Sequence, residues 1–142
     1  MDEPLVDPET EFGARVIRHL REEIVIWLTT VTPSGAPLPS PVWFLWDGER
    51  TVAVYSMPGA RIRNLAANPR VSLNFAGDGR GGDVVVLSGR ASVLTDGGPA
   101  DQDEAYLAKY ADQIARLGMT PRSFAERYVV PLRIHLTRAR GH

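Results

Sequence analysis

The chain has 142 residues, of which 44% are hydrophobic, 8% aromatic and 23% charged, which suits one globular domain over residues 1–142 and leaves no room for a second. Cysteine is absent, which removes thiolate nucleophiles, iron–sulfur clusters, disulfides and Cys-based zinc sites, and fits a reducing compartment. The three histidines, His19, His135 and His142, share no metal-ligand spacing, so no metal site is expected.

The longest apolar runs, Ile24 to Leu28 and Val42 to Trp46, are five residues each. A membrane helix needs roughly 20, so no membrane association is expected. The opening Met1-Asp2-Glu3-Pro4 is acidic and lacks the basic and apolar regions of a secretory signal, which points to the cytoplasm. A net charge of −1 is too balanced for a general nucleic-acid binder. Its distribution is uneven: residues 1–60 carry four arginines against nine acids, net −5, and residues 61–142 carry twelve bases against eight acids, net +4. Thr51 to Gly77 contains no Asp or Glu, yet holds Arg61, Arg63 and Arg70. Any anion site is expected there.

In chain order, Pro8 to Glu23 spaces Phe12, Val16, Ile17, Leu20 and Ile24 on one helical face, with Asp7-Pro8 as a start signal. Ile24 to Val31 is β-branched and aromatic, and Thr32-Pro33-Ser34-Gly35 then turns it back. The returning strand runs from Pro37 to Trp46, and its three prolines confine the first half to an edge. Asp47-Gly48 turns the chain into a strand from Thr51 to Ser56. A short helix follows from Arg61 to Ala67, stopped by Asn68-Pro69, and then a strand from Arg70 to Ala76. Gly77 to Gly82 reads as a mobile connector, and Asp83 to Thr95 as a long strand with Gly89 at a bulge. Asp101 to Leu117 returns to helical period, with Leu107, Tyr110, Ala111, Ile114 and Leu117 on its inner face. A short helix at Pro121 to Arg127 and a strand from Val129 to Arg138 complete the chain. Six strands dominated by hairpins, with helices between and around them, predict a mainly β protein: an antiparallel barrel or sandwich with helical caps.

Two segments could carry chemistry. The first is Tyr55-Ser56-Met57-Pro58-Gly59-Ala60-Arg61-Ile62-Arg63-Asn64-Leu65, where a strand ends, kinks at Pro-Gly and enters a helix whose first turn holds two arginines. Helix N-termini repel cations, so arginine is locally the wrong choice unless an anion sits between the free amides and the guanidinium groups. A solvated helix start with arginines paired to acids elsewhere is the competing reading. The second is Ser40-Pro41-Val42-Trp43-Phe44-Leu45-Trp46, where alternation puts Val42, Phe44 and Trp46 on one face and Pro41, Trp43 and Leu45 on the other. Both faces are apolar, as in a strand buried on both sides or a wall against which a fused-ring cofactor lies.

Catalytic side chains are not evident: there is no nucleophile elbow and no HExxH. Glu22-Glu23 and Asp101/Asp103/Glu104 read as exposed helix-end charges. His19 reads as packing or surface, and His135 as barrel surface or dimer interface. If the chain is an enzyme, a cofactor rather than a side chain does the hard chemistry.

These segments, in this order, resemble the split β-barrel flavin-binding superfamily that includes pyridoxamine 5′-phosphate oxidase, and more closely the small actinobacterial deazaflavin (F-420)-dependent oxidoreductases. The matching text is Thr32 to Pro37, Ser40 to Phe44, Tyr55-Ser56, Arg61 to Leu65, Asn68 to Leu73, the helix Tyr106 to Gly118 and the strand Pro131 to Ile134. The resemblance implies a six-stranded split β-barrel and a homodimer with F-420, or alternatively FMN, at the subunit interface. It implies a ring lying along Ser40, Pro41, Val42, Trp43 and Phe44, and a phosphate tail held by Tyr55, Ser56 and Arg61, with Arg63 and Asn64 beside it. The implied activity is hydride transfer to an electron-poor enone, quinone or tetrapyrrole; a non-catalytic flavin-, haem- or bilin-binding protein is the alternative from another class. The family's usual lysine is Arg61 here, the oxidase subgroup's Arg-Lys pair is Ala60-Arg61, and its C-terminal Trp-x-Arg element has no equivalent. These departures speak against pyridoxamine phosphate oxidation.

Overall fold

The computed structural model describes residues 3–142; Met1 and Asp2, which open the acidic N-terminus and the expected domain, lie outside the described residues. Helix α1 spans Glu11–Glu22 and starts later than Asp7-Pro8 suggested, because Thr10 is the N-cap and its side chain accepts from the Gly13 amide. Asp7 instead builds the turn before it: its carboxylate accepts from the Glu9 amide at 2.9 Å, and its carbonyl accepts from the Thr10 hydroxyl. That turn folds back onto Gly13, where a Cβ would collide with the Asp7 carbonyl. Gly13→Ala is therefore expected to destabilise the protein by roughly 1–3 kcal/mol in chemical denaturation, despite alanine's better helix propensity.

Strands β1 (Val25–Val31), β2 (Pro37–Trp43), β3 (Leu45–Trp46), β4 (Thr51–Ser56), β5 (Arg70–Asn74), β6 (Val85–Val93) and β7 (Val130–Gly141) form one antiparallel sheet in the order β2-β1-β5-β6-β7-β4-β3. Helices α2 (Ala60–Ala67), α3 (Glu104–Arg116) and α4 (Pro121–Arg127) complete the chain, with a 3-10 turn at Ala100–Gln102 ahead of α3. The mainly β class is as the periodicity predicts, and proline-rich β2 takes an edge.

Seven strands replace the six expected because the Pro37 to Trp46 segment divides at Phe44. The Phe44 amide leaves the ladder and donates to the Tyr110 hydroxyl at 2.8 Å, while its carbonyl accepts from Lys109 Nζ at 2.9 Å. The Tyr110 proton is shared between the carbonyls of Ile24 (2.7 Å) and Phe44 (2.8 Å). With its backbone groups satisfied from α3, the chain turns the barrel corner and pairs with β4 instead of β1. Lys109 also lies 3.7 Å above the Phe44 ring, and burial pushes its ammonium down to about 8.

Two apolar clusters lie on opposite faces of the sheet. Phe44, Leu28, Leu73, Leu87, Ile134 and Leu136, all fully buried, fill the inside of the curl together with Val16 and Leu20 of α1. Tyr106, Tyr110, Ile114, Phe124 and Ala125 pack α3 and α4 against the outside, where Trp43, Leu45 and Tyr55 meet them. The buried face of α3 is thus Tyr106, Tyr110 and Ile114, with Leu107 partly buried beside them, whereas Ala111 and Leu117, expected on that face, are exposed.

The bulge near Gly89 is present, but the extra residue belongs to β7. Ser88 pairs with Arg138 and Gly89 with Leu136, leaving Thr137 unpaired. Gly89 is needed opposite it, because a Cβ would come within 2.8 Å of the His135 carbonyl oxygen.

The connector Gly77 to Gly82, expected to be mobile, is tied by the Asp78 carboxylate, which accepts from the amides of Arg80 (2.7 Å) and Gly82 (3.0 Å). At its exit Asp83 meets His19 Nε2 at 2.9 Å and Arg15 at 3.1 Å; the His19 ring stacks on Phe75, and its Nδ1 faces Glu23 at 3.1 Å. His19 is buried packing, as the sequence suggested. Hydrogen bonding to His19, then to Arg15, holds the Asp83 carboxyl below its ordinary value of 3.8. A depressed folded-state value stabilises the fold above pH 3.8 and loses that contribution as pH falls through it. In paired unfolding measurements, the stability advantage of wild type over Asp83→Asn is expected to be full at pH 6 and to shrink below about pH 4.

Candidate functional site

The curl of the sheet brings β2, at one edge, against the end of β4, and α2 begins where they meet. Gly59 takes a left-handed φ of 151° at the entry to α2, no side chain caps the helix, and no acid occupies its first turn. Arg61 reaches back from that turn. Its Nη1 donates to the Ser56 hydroxyl at 2.8 Å and its Nη2 to the Ser40 hydroxyl at 2.6 Å, while the buried Nε has no partner among the described residues. Ser56 donates its own proton to the Met57 carbonyl, so its lone pairs face the guanidinium. No carboxylate lies within ion-pair distance of Arg61 among the described residues. Burial lowers the Arg61 pKa from its ordinary value, the mark of a cation placed in a dry setting without a countercharge.

Arg61 lines a cavity of about 410 Å³ together with Pro41, Val42, Trp43, Tyr55 and residues of α3 and α4. The Trp43 ring forms its flat wall, stacked on Tyr110 at 4.8 Å and on Phe124 at 5.4 Å. Tyr55 forms another, its ring set edge-on to Tyr106 at 4.8 Å and its hydroxyl donating to Asp103 at 2.8 Å. Burial and the Asp103 carboxylate both raise the Tyr55 pKa, so this hydroxyl stays protonated and the ring stays fixed. Asp103 is accordingly not an exposed helix-end charge: one oxygen caps α3 by accepting from the Tyr106 amide, and the other holds Tyr55.

Of the ten residues singled out in the sequence, Pro41, Val42, Trp43, Tyr55 and Arg61 line this cavity, and Ser40 and Ser56 hold Arg61 in place. The other three lie elsewhere. Phe44 points to the opposite face and is fully buried in the barrel core, as strand alternation requires. Asn64 is 4% exposed and donates to the Thr30 hydroxyl at 3.1 Å, which pins α2 to β1. Arg63 is exposed, without an ion pair among the described residues. Sequence reasoning missed Tyr106, Phe124 and Tyr128, the aromatic walls from α3 and α4. The i, i+4 spacing of Phe124 and Tyr128 was a local signal for one aromatic face, but not for the cavity it meets.

The family model described as pyridoxamine 5′-phosphate oxidase matches residues 14–140, nearly the whole chain. The chain belongs to that family. The curled antiparallel sheet is the fold of pyridoxamine 5′-phosphate oxidase-like proteins, a group with flavin-binding and oxidoreductase members. The chain is similar to a solved F-420 reductase at 21% identity, with a TM-score of 0.61 over 87% of this chain and 94% of that one. It is similar to an FAD-binding protein from Mesorhizobium loti at 23% identity, with a TM-score of 0.65 over 89% of each chain. The haem storage protein of Vibrio cholerae aligns at 19% identity, with a TM-score of 0.59 over 93% of each chain. At these identities the shared property is the fold. No curated protein sequence matches the chain.

Proposed function

We propose that this single-domain chain is a deazaflavin (F-420)-dependent oxidoreductase that acts in the cytoplasm as a homodimer. The observation that carries the reading is the Arg61 guanidinium, held by two serine hydroxyls without a carboxylate and opening onto an aromatic cavity. A phosphate at the start of α2 would supply the missing countercharge, and charge-assisted hydrogen bonds of this kind are worth roughly 1.5–3 kcal/mol each. Ser40 and Ser56 aim Arg61, and Pro41, Val42 and Trp43 offer the apolar edge along which a planar ring would lie. Exposed Arg63 adds positive field near the same helix start.

When bound, the deazaflavin supplies a hydride to an electron-poor enone, quinone or tetrapyrrole. The chain's own contribution is to hold the tail, fix the ring plane and keep water out through Trp43, Tyr55 and Phe124. Exposed apolar residues rim the cavity, with Val25 38%, Met57 41% and Leu117 53% exposed, and a second copy seated on that rim would close it. Among the described residues of one copy no histidine lines the cavity, which supports a flavin-type ligand over a haem held by an axial imidazole from the same copy.

The ordered sequence segments favour the deazaflavin over FMN. Titrating the purified protein with oxidised and reduced F-420 and with FMN, followed by quenching of tryptophan fluorescence, tests this. Binding of F-420, with cofactor-coupled reduction across a panel of enones, quinones and bilins, is expected. Tight FMN binding without F-420 binding moves the assignment to an FMN enzyme. Binding without turnover makes the protein a carrier or sensor.

A further inference from the structure

All four tyrosines of the chain gather around the candidate cavity, and three of them join Trp43 in a continuous run of rings. Trp43 stacks on Tyr110 with centroids 4.8 Å apart and planes 7° from parallel; Tyr110 meets Tyr106 at 4.8 Å, and Tyr106 meets Tyr55 edge-on at 4.8 Å. Tyr106 and Tyr110 are fully buried, whereas Trp43 and Tyr55, at the two ends, are half-buried and line the cavity. Packing alone accounts for aromatic rings in contact. It does not account for what lies at the Tyr55 end. Tyr55 also lines an open recess with Gly98, Pro99, Gln102, Asp103 and Glu104, and it is the one residue that this recess shares with the cavity.

Indole and phenol rings give up single electrons far more readily than aliphatic groups, and the chain has no cysteine thiol to do so instead. A phenol that loses an electron becomes a strong acid, so it keeps the vacancy only where its proton has somewhere to go. The hydroxyls differ in this respect. Tyr110 donates to two carbonyls, which do not take up a proton, and the Tyr106 hydroxyl has no partner among the described residues. Among the described residues only Tyr55 donates to a carboxylate, Asp103 Oδ2 at 2.8 Å, close enough for direct proton transfer. The parallel route from Trp43 to Tyr128 crosses the Phe124 ring, which resists oxidation. We propose that Trp43, Tyr110, Tyr106 and Tyr55 carry an oxidising equivalent out of the cavity and discharge it at the Asp103 recess. The oxidant is an organic peroxyl radical formed beside Trp43: it takes one electron from the indole and a proton from solvent, and leaves as the hydroperoxide. Tyr55 replaces that electron through the intervening rings and passes its hydroxyl proton to Asp103, which leaves a neutral phenoxyl radical at the recess. A soluble enediol then returns one electron, releasing its own proton to solvent, while Asp103 returns the proton to Tyr55. This function goes beyond the proposed reduction and rests on that reading only for the source of the oxidant, since a cavity that handles redox chemistry exposes its own walls to it.

The test is pulse radiolysis of the full chain without any cofactor, with azide radicals as the oxidant, each of which takes one electron from a tryptophan and leaves as azide ion. Transient absorbance and freeze-quenched electron paramagnetic resonance follow the tryptophan and tyrosine radicals. In the wild type, part of the tryptophan signal is expected to convert to a tyrosine radical at a rate that is independent of protein concentration and slower in heavy water. Trp43→Phe, which leaves Trp27 and Trp46 to be oxidised, and Tyr55→Phe are each expected to lose that phase. Asp103→Asn keeps a helix-capping acceptor but takes no proton, and is expected to slow the conversion and abolish its heavy-water effect. Near-ultraviolet circular dichroism reports ring packing in each variant. A tyrosine radical formed at the wild-type rate in Tyr55→Phe overturns the proposal. So does a wild-type conversion indifferent to heavy water, a result that no variant's folding affects. Because no cofactor takes part, failure of F-420 and FMN to bind would overturn the reading of the cavity and leave the ring path standing.

Discussion

Arg61→Ala is expected to weaken cofactor binding by roughly 10- to 150-fold, the equivalent of losing one charge-assisted interaction of about 1.5–3 kcal/mol. The folded protein should tolerate the change, because the guanidinium has only hydroxyl partners and burial already works against its charge. Affinity and stability therefore separate. Fluorescence titration with F-420 or FMN should show the loss, whereas the apo-protein's melting temperature should stay within a few degrees of wild type. Excess ligand should raise the melting temperature of wild type by more than that of the variant, since at the same ligand concentration the weaker binder is stabilised less by mass action. Arg61→Lys should fall between them: it keeps a charge but cannot span Ser40 and Ser56 with a planar fork. Unchanged affinity in Arg61→Ala would place the anion elsewhere and remove the basis of the functional reading.

The second large effect is expected at Tyr110. Its hydroxyl is the acceptor for the Phe44 amide and the donor to the Ile24 and Phe44 carbonyls, at the corner where the chain leaves β2 and enters β3. Tyr110→Phe keeps the ring stacked under Trp43 but leaves the Phe44 amide buried without a partner. A buried unsatisfied group costs roughly 1–3 kcal/mol, and with the lost carbonyl bond the total is about 2–4 kcal/mol. For a domain of this size that corresponds to a fall in melting temperature of roughly 10 °C. Tyr106→Phe is the matched control: the Tyr106 hydroxyl is buried without a partner among the described residues, so its removal should leave stability unchanged or raise it. Unchanged stability in Tyr110→Phe would show that ring packing, rather than the Phe44 backbone bonds, holds the corner.

Local signals were enough for most of the fold. Pro121 to Arg127 and Thr51 to Ser56 have the bounds that their residue types suggest, because a capping threonine with proline at the first helical position, and a short run of Thr51, Val52, Val54 and Tyr55 after the Asp47-Gly48 turn, specify structure within a few residues. The opposite placement of Phe44 and Trp43 was legible for the same reason: alternation along a strand is a backbone property. Arg61 stood out because cations at an uncapped helix start contradict local electrostatics.

What no local pattern could supply is which distant residues meet. Ser40 and Ser56 face Arg61 only because the sheet curls its two ends together, and Tyr106 and Phe124 reach the same cavity only because two helices pack on the outside of β2. Asn64 looked like part of an anion site from its position beside Arg63, yet the helical rotation of one residue turns it onto Thr30. The break at Phe44 depends on a hydroxyl 66 residues away. Composition, charge asymmetry, the strand and helix inventory and the misplaced arginine were determined by the sequence itself, since each is a property of near neighbours. The countercharge-free setting of that arginine, its aromatic cavity and the run of rings from Trp43 to Tyr55 were decided by tertiary structure, because burial and pairing are set by long-range register and by the closure of the sheet.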